Sequence, residues 1–336
     1  MTFKKNIREI LLDYSLYIVL GLMILAVIIQ DPRFISVKNI TNILGQASTR
    51  GILALGVAGL IVLQGTDLSS GRILGLTAII SSSLLQSVSY ASRMYPDLPA
   101  LPLFLPLILS MVIGGLFGAF NGFGVSKLHL HAFIVTLGTQ LIAYGLSAIY
   151  IDRPPLGAQP IANLDDRYIE FVTGHIKLGS VEIPYLVFYL LIISVIMWFI
   201  WNKTKLGKNM FAIGGNPEAA AVSGVNITKN IMIIFIISGM LYGLAGFLEA
   251  GRVGSTTSNT GINYDLDAIS ACVVGGVSFS GGVGTIPGVI LGTLILQFIN
   301  YGLNFIGVSP YLQYIVKGLI IILAVSIDVR RYLVKK

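Results

Sequence analysis

PYLVFYLLIISVIMWFIWNKTKLGKNMFAIGGNPEAAAVSGVNITKNIMIIFIISGMLYGLAGFLEA, residues 184–250, holds two kinds of sequence. Residues 184–202 and 230–250 are apolar runs of about 20 residues, the length that carries an α-helix across a bilayer. Between them lies a polar loop, 203–229, flanked by Lys203, Lys205, Lys208 and Lys229 and preceded by Trp198, Phe199 and Trp201. Lysine excess beyond an aromatic girdle marks the cytoplasmic side of a membrane. Inside the loop, GGNPEAAAVSG (214–224) carries its own helix signals. Asn216 is a good N-cap, Pro217 suits the first helical position, Glu218 complements the positive end of the helix dipole, and Gly224 is a natural terminator. Two alanine-rich turns, about 10 Å long, are too short to hold in water alone, so the helix is expected to dock against something.

The rest of the chain repeats the apolar pattern. Of its 336 residues only 11% are charged, against about 25% in a soluble domain, and the mean hydropathy is +0.85. The reading is an all-α integral membrane protein, one transmembrane domain over 1–336 with no soluble domain. Ten spans are expected, near 14–30, 48–64, 71–90, 101–123, 131–151, 184–202, 230–250, 264–277, 283–305 and 311–327. Both termini then face the cytoplasm, where Lys4, Lys5, Arg8, Arg330, Arg331, Lys335 and Lys336 cluster. The run 14–30 resembles a signal peptide but lacks a small-residue cleavage site before Asp31-Pro32-Arg33, so it is expected to stay as an anchor. The net charge of +7 flanks the spans, which favours bilayer topology and argues against nucleic acid. Residues 31–50 and 152–183 read as polar exterior loops.

Glycines recur every fourth residue at Gly114, Gly118 and Gly122 and again at Gly284, Gly288 and Gly292, faces that let helix backbones approach; close packing is favoured over a pore-lining contact. Spans 2–5 and 7–10 suggest an inverted repeat. Gly56-Val57-Ala58-Gly59-Leu60 parallels Gly243-Leu244-Ala245-Gly246-Phe247, and an Asp-Leu pair, Asp67-Leu68 or Asp265-Leu266, precedes the next span in each half.

Chemistry is scarce. Cys272 has no partner cysteine, His129, His131 and His175 are scattered, and no catalytic set or metal-ligand cluster appears at usable spacing. The stretch GGVSFSGGVG (275–284) lacks the Lys-Ser/Thr of a phosphate loop, so energy from ATP requires another polypeptide. Ionisable or polar residues near spans are the functional candidates. Asp67, with Ser69 and Ser70, either caps the next helix or marks the mouth of a translocation path, and Asn121, Gln140 and Gln297 suit either a sugar or helix-to-helix hydrogen bonds. Glu249 and Arg252 have the spacing of a local ion pair, Asp265 and Asp267 open a span, and Lys317 is expected to snorkel outward. An ion-coupled secondary transporter needs a buried acid or unwound helix as its ion site, whereas the acids here sit at span ends; an intramembrane enzyme needs a catalytic set that is missing.

Three motifs in order resemble one family, the permease subunits of bacterial ABC importers for monosaccharides of the ribose, xylose and galactose type. They are QGTDLSSG (64–71), with Gln64 where the family has glycine, the 214–224 segment, and LDAI (266–269) followed by GGVSFSGGVGT (275–285). The runs GVAGLIVLQGTDLS, WNKTKLGKN, FAIGGNPEAA and ACVVGGVSFSGGVGT are similar to the galactose/methyl-galactoside branch. The resemblance covers nearly the whole chain. It implies a homodimer in the bacterial inner membrane, a cytoplasmic sugar-import ATPase holding ATP and Mg, and a periplasmic galactose/glucose-binding protein. This chain would carry no cofactor and would not be an enzyme. Asn216, Pro217, Glu218, Ala219, Ala220, Ser223 and Gly224 would fit the ATPase groove, and ATP binding would switch the dimer between outward-open and inward-open states. Glu218 has a second reading, since a first-turn acid also stabilises its helix.

Overall fold

The computed structural model describes residues 7–153, 157–179 and 181–334. Lys4, Lys5, Lys335 and Lys336, used above for topology, lie outside the described residues. The helices in chain order are α1 (Ile7–Gln30), α2 (Val37–Val62), α3 (Ser70–Leu84), α4 (Phe104–Ser126), α5 (Ala132–Ile151), α6 (Asp166–Thr173), α7 (Tyr185–Lys203), α8 (Lys205–Gly215), α9 (Pro217–Val222), α10 (Ile227–Val253), α11 (Tyr264–Val274), α12 (Ile286–Phe305) and α13 (Pro310–Val334). A small antiparallel hairpin, β1 (His175–Leu178) and β2 (Val181–Pro184), precedes α7.

Among the described residues, six helices are long and apolar enough to cross a membrane: α2, α4, α5, α7, α10 and α12. Shorter apolar stretches, Ile18–Gln30 and Pro310–Leu323, lie in α1 and α13. The expected spans 71–90 and 264–277 fall short. Helix α3 has 15 residues and α11 has 11, so at about 1.5 Å per residue neither reaches across a roughly 30 Å hydrocarbon core. A turn ends each one early, at Leu85 for α3 and at Gly275-Gly276, where Gly276 has a φ of 82°, for α11. Helix α2 errs the other way and begins eleven residues before the expected 48, because Ser36 accepts the Asn39 N–H (3.3 Å) and starts a helix through the polar stretch taken for a loop.

Helices α2 and α10 form the centre. In α2, 83% of the apolar window is buried, against 22% in α7, so the polypeptide encloses the first and leaves the second to lipid. Small residues permit this. A Cβ on Gly114 or Gly118 would collide with the carbonyl of Gly239 or Phe235 on α10, and a Cβ on Gly239 or Gly243 would collide with the carbonyls of Gly114 and Ser110 on α4. The second glycine series packs in the same way, Gly288 and Gly292 lying against Gly275 and Ala271 at the end of α11. Both faces are packing faces.

The described residues 157–179 of the expected loop 152–183 form a folded cap. Asp165 starts α6 by accepting from Arg167 N (2.9 Å), and the Arg167 guanidinium beside it holds its carboxyl below the usual range. The Tyr168 hydroxyl donates to Phe247 O of α10, with the two rings 4.8 Å apart. Ile161 and Thr256 exchange backbone hydrogen bonds of 2.9 Å. The cap is thereby fastened to the end of α10.

Gly118→Ala is expected to cost about 1–3 kcal/mol by overpacking, whereas Gly138→Ala, with nothing within 4 Å of the added methyl, stays neutral or gains slightly. Thermal unfolding of the two variants in mild detergent compares them; equal midpoints would remove close packing as the reason for these glycines.

Candidate functional site: coupling segment and polar cluster

The 203–229 loop folds as two capped helices in place of one. Thr204 accepts from Gly207 N (3.2 Å) and starts α8, which absorbs Gly214 and Gly215, so the expected 214–224 helix is shortened to α9, Pro217–Val222. The sequence reading missed α8, whose only start signal is a threonine. Asn216 accepts from Ala219 N at 3.0 Å, with Pro217 in the first turn. At the other end Val225 N reaches Ala220 O and Gly224 N reaches Ala221 O, a Schellman motif that needs the left-handed φ of 81° at Gly224. Asn226 then caps α10 (Lys229 N to Oδ1, 2.9 Å), and Asn209 of α8 donates to Asn230 of α10 at 3.1 Å.

Of α9 only Ala220 is buried. Glu218, Ala219, Ala221, Ser223 and Gly224 are exposed, and Val222 is 91% exposed.

At the end of α8, just before α9 in the chain, the three motif segments meet. Gly214 sits so close to Val62 O and Gly282 N that no side chain fits there, and Gly282 N donates to Val62 O at 2.9 Å. Gln64 Nε2 donates to Gly214 O (2.8 Å) and to Ser280 O (3.1 Å). The end of α2, the end of α8 and the 275–285 loop are thus joined at one place, a convergence that motif order alone did not reveal.

Asp67, Ser69 and Asn121 also come together. Asp67 Oδ1 accepts from Ser69 N (2.8 Å) and Ser69 Oγ (2.5 Å), Asn121 Nδ2 donates to Ser69 Oγ (3.0 Å), and Thr139 Oγ1 donates to Asn121 Oδ1 (2.6 Å). Leu68 N is held by Thr136 Oγ1 at 3.2 Å. All three candidates are at most 1% exposed. Asn121 lies five residues before the end of α4, so the cluster sits about 8 Å inside that end, where Thr228 reaches Ser126 O.

A second polar centre was only partly foreseen. Glu249 and Arg252 form the expected pair (2.6 and 2.9 Å), but Glu249 is fully buried and also accepts from Thr49 Oγ1 (2.7 Å) and Tyr264 OH (2.8 Å). Lys317 does not snorkel. It pairs with Asp267 at 2.7 Å, and Asp267 also takes Arg50 at 2.5 Å, with the guanidinium 3.2 Å from the Tyr264 ring centroid. Desolvated cations next to fixed carboxylates gain more from pairing than from reaching for water. The signal for this was Arg50, misplaced by the late start assigned to α2. The network ties α2, α10, α11 and α13 together.

A family model described as "Branched-chain amino acid transport system / permease component" matches residues 39–325, which span the polar cluster, the 203–229 loop and the ionic network. The chain belongs to that permease family. This permease is 50% identical over 333 residues to the galactose/methyl galactoside import permease protein MglC of Escherichia coli (strain K12), covering 99% of this chain and 98% of that protein. It is 49% identical, over the same shares, to the protein of that name from Haemophilus influenzae. The ribose import permease protein RbsC of Escherichia coli (strain K12) is 34% identical over 319 residues, 95% of this chain and 94% of that one. No solved structure matches the permease at a significant level. It is a multi-pass transport permease, and among the described residues no group of His, Cys, Asp or Glu is arranged to hold a metal ion.

Asp267→Asn leaves Arg50 and Lys317 facing one neutral amide, so a loss of about 3 kcal/mol is expected, read as a lowered unfolding temperature in detergent. Glu182→Gln, which removes the exposed partner of Lys177 (3.6 Å apart), is expected to change stability by less than about 1 kcal/mol. A network that tolerates Asp267→Asn as well as the surface pair would not be structural.

Proposed function

We propose that this permease is the membrane-spanning subunit of an ATP-driven ABC importer that moves galactose, methyl galactoside or a related monosaccharide from a periplasmic binding protein into the cytoplasm. The observation that carries the proposal is 50% identity over 99% of the chain to a galactose/methyl galactoside import permease, against 34% to a ribose one. The working unit is a homodimer of the single domain 1–336 in the bacterial inner membrane, with both termini and the 203–229 loop in the cytoplasm. A cytoplasmic ATPase, which binds ATP and Mg, takes α9 and its caps in its groove through Asn216, Pro217, Glu218, Ala219, Ala220, Ser223 and Gly224. The exposure of this helix supports that role, as does its place in the chain directly after α8, whose end meets Gln64 and Ser280.

Ten membrane passages in two inverted halves are kept as the proposed topology, with α3 and α11 as corresponding short helices that cover only part of their passages. Each carries an Asp-Leu pair beside its first turn, and their starts touch. A Cβ on Gly71 would collide with Gly261 O and Asp265 N, and one on Gly75 with Thr260 O. Short helices meeting at their starts within a bundle are a common setting for a transported solute. Asp67, Ser69 and Asn121 then shape the path, the carboxylate of Asp67 holding the start of α3 while the dimer alternates between outward-open and inward-open states.

Uptake of labelled galactose, ribose and leucine by cells expressing the whole system tests the reading. Galactose uptake is expected to exceed the others by at least about tenfold; leucine uptake without sugar uptake would overturn the sugar assignment. Glu218→Lys is expected to lower both uptake and the amount of ATPase that co-purifies, while Glu218→Gln, which keeps the size and loses the charge, falls in between. Unchanged uptake and unchanged co-purification in Glu218→Lys would remove Glu218 from the coupling contact.

A further inference from the structure

Gln64 occupies a backbone position suited to glycine. It follows the C-cap Leu63 of α2, its φ is 62°, and Gln64 N bonds Ile61 O while Gly65 N bonds Leu60 O, each at 2.9 Å. This is the left-handed residue of a Schellman motif, where a Cβ crowds the following carbonyl. A side chain persists in such a place when the surroundings fix it, and strain of this kind gathers at moving or functional parts.

The fixing contacts join distant segments. Gln64 Nε2 bridges Gly214 O and Ser280 O, partners 150 and 216 residues away. On one side Gly214 is the penultimate residue of α8, two residues before Asn216, the cap of α9. On the other, Ser280 lies in the loop that closes α11, and Gly281 approaches the Gln64 side chain so closely that a Cβ on it would meet Gln64 Cγ. Gln64 itself stands three residues before Asp67, whose carboxylate holds Ser69 N at the start of α3. One residue therefore joins the end of α8, which leads into the exposed helix α9, to the loop that follows α11 and to the stretch of chain leading into α3.

We infer that Gln64 is a positioning residue that couples displacement of the 214–224 segment to α3 and α11 together, so that the two short helices move as one. The inference rests on the coupling role of α9. Gln64 donates to carbonyls, so the donor matters and the length alone does not. Gln64→Glu keeps the length but only accepts, Gln64→Gly suits the backbone but has no side chain, and Gln64→Lys restores a donor of similar reach.

The experiment uses the full-length permease with its ATPase and binding protein in proteoliposomes and reads three quantities: ATPase captured, basal ATP hydrolysis, and galactose moved per ATP hydrolysed. Gln64→Glu and Gln64→Gly are expected to capture the ATPase and hydrolyse ATP as the native protein does while galactose moved per ATP falls about tenfold, the worth of one or two hydrogen bonds. Gln64→Lys is expected to retain at least about half. A merely structural role would lower the unfolding temperature and the captured amount without altering the ratio. A native ratio in Gln64→Gly, or a loss in Gln64→Lys equal to that in Gln64→Glu, overturns the inference. If the native protein captures no ATPase, the coupling role of α9 falls and this inference falls with it; capture with no effect at Gln64 overturns this inference alone.

Discussion

Helix α10 lies backbone to backbone against α4, and the contact exists because Gly114 and Gly118 on one side face Gly239 and Gly243 on the other. In lipid, apolar side chains gain little by leaving the solvent for a neighbouring helix, so association depends on dispersion and close approach. Other contacts follow from that seating. Once α10 is drawn in, Ser238 reaches Gly56 O of α2 (2.8 Å), Glu249 meets Thr49, and Gly246 accommodates Leu74 and Thr77 of α3. A single helix thus sets the positions of α2, α3 and α4.

Two polar centres hang on this frame with opposite character. The Asp67, Ser69, Asn121 and Thr139 chain has one acid whose partners are neutral donors. The Arg50, Glu249, Arg252, Asp267 and Lys317 network carries charges of both signs, and each carboxylate is shared between more than one donor. Buried charges are costly to separate once paired, so the second centre favours a fixed relation among α2, α10, α11 and α13. Hydroxyl and amide groups exchange partners more readily. Rigidity and adaptability are therefore placed in different parts of one bundle.

The sequence disclosed what depends on local chemistry. The caps at Asn216 and Gly224, the membrane character and the packing role of the glycine series were readable because each rests on a few adjacent residues or a fixed helical period. It misplaced what depends on tertiary partners. Polar residues 37–47 looked like a loop because hydropathy is blind to a helix whose Asn42 and Gln46 find Tyr301 and Gln297 across the bundle. Lys317 was read as snorkelling because its acid partner lies 50 residues earlier. Asp265 was legible as a helix opener, but hydropathy over 71–90 gave no sign that α3 stops at Leu84. The meeting of Gln64, Gly214 and Ser280 left no trace in spacing, since no local rule relates residues so far apart.

Helix α10 is also an uninterrupted rod of 27 residues, about 40 Å long. Near one end the Tyr168 hydroxyl and ring grip it at Phe247, and near the other Asn209 grips it at Asn230. A stiff rod held at both ends transmits a push or a tilt with no chain of side-chain rearrangements between. The 157–174 cap and the 205–224 segment therefore hold opposite ends of one rod, and the distance between them is set by the length of that helix alone.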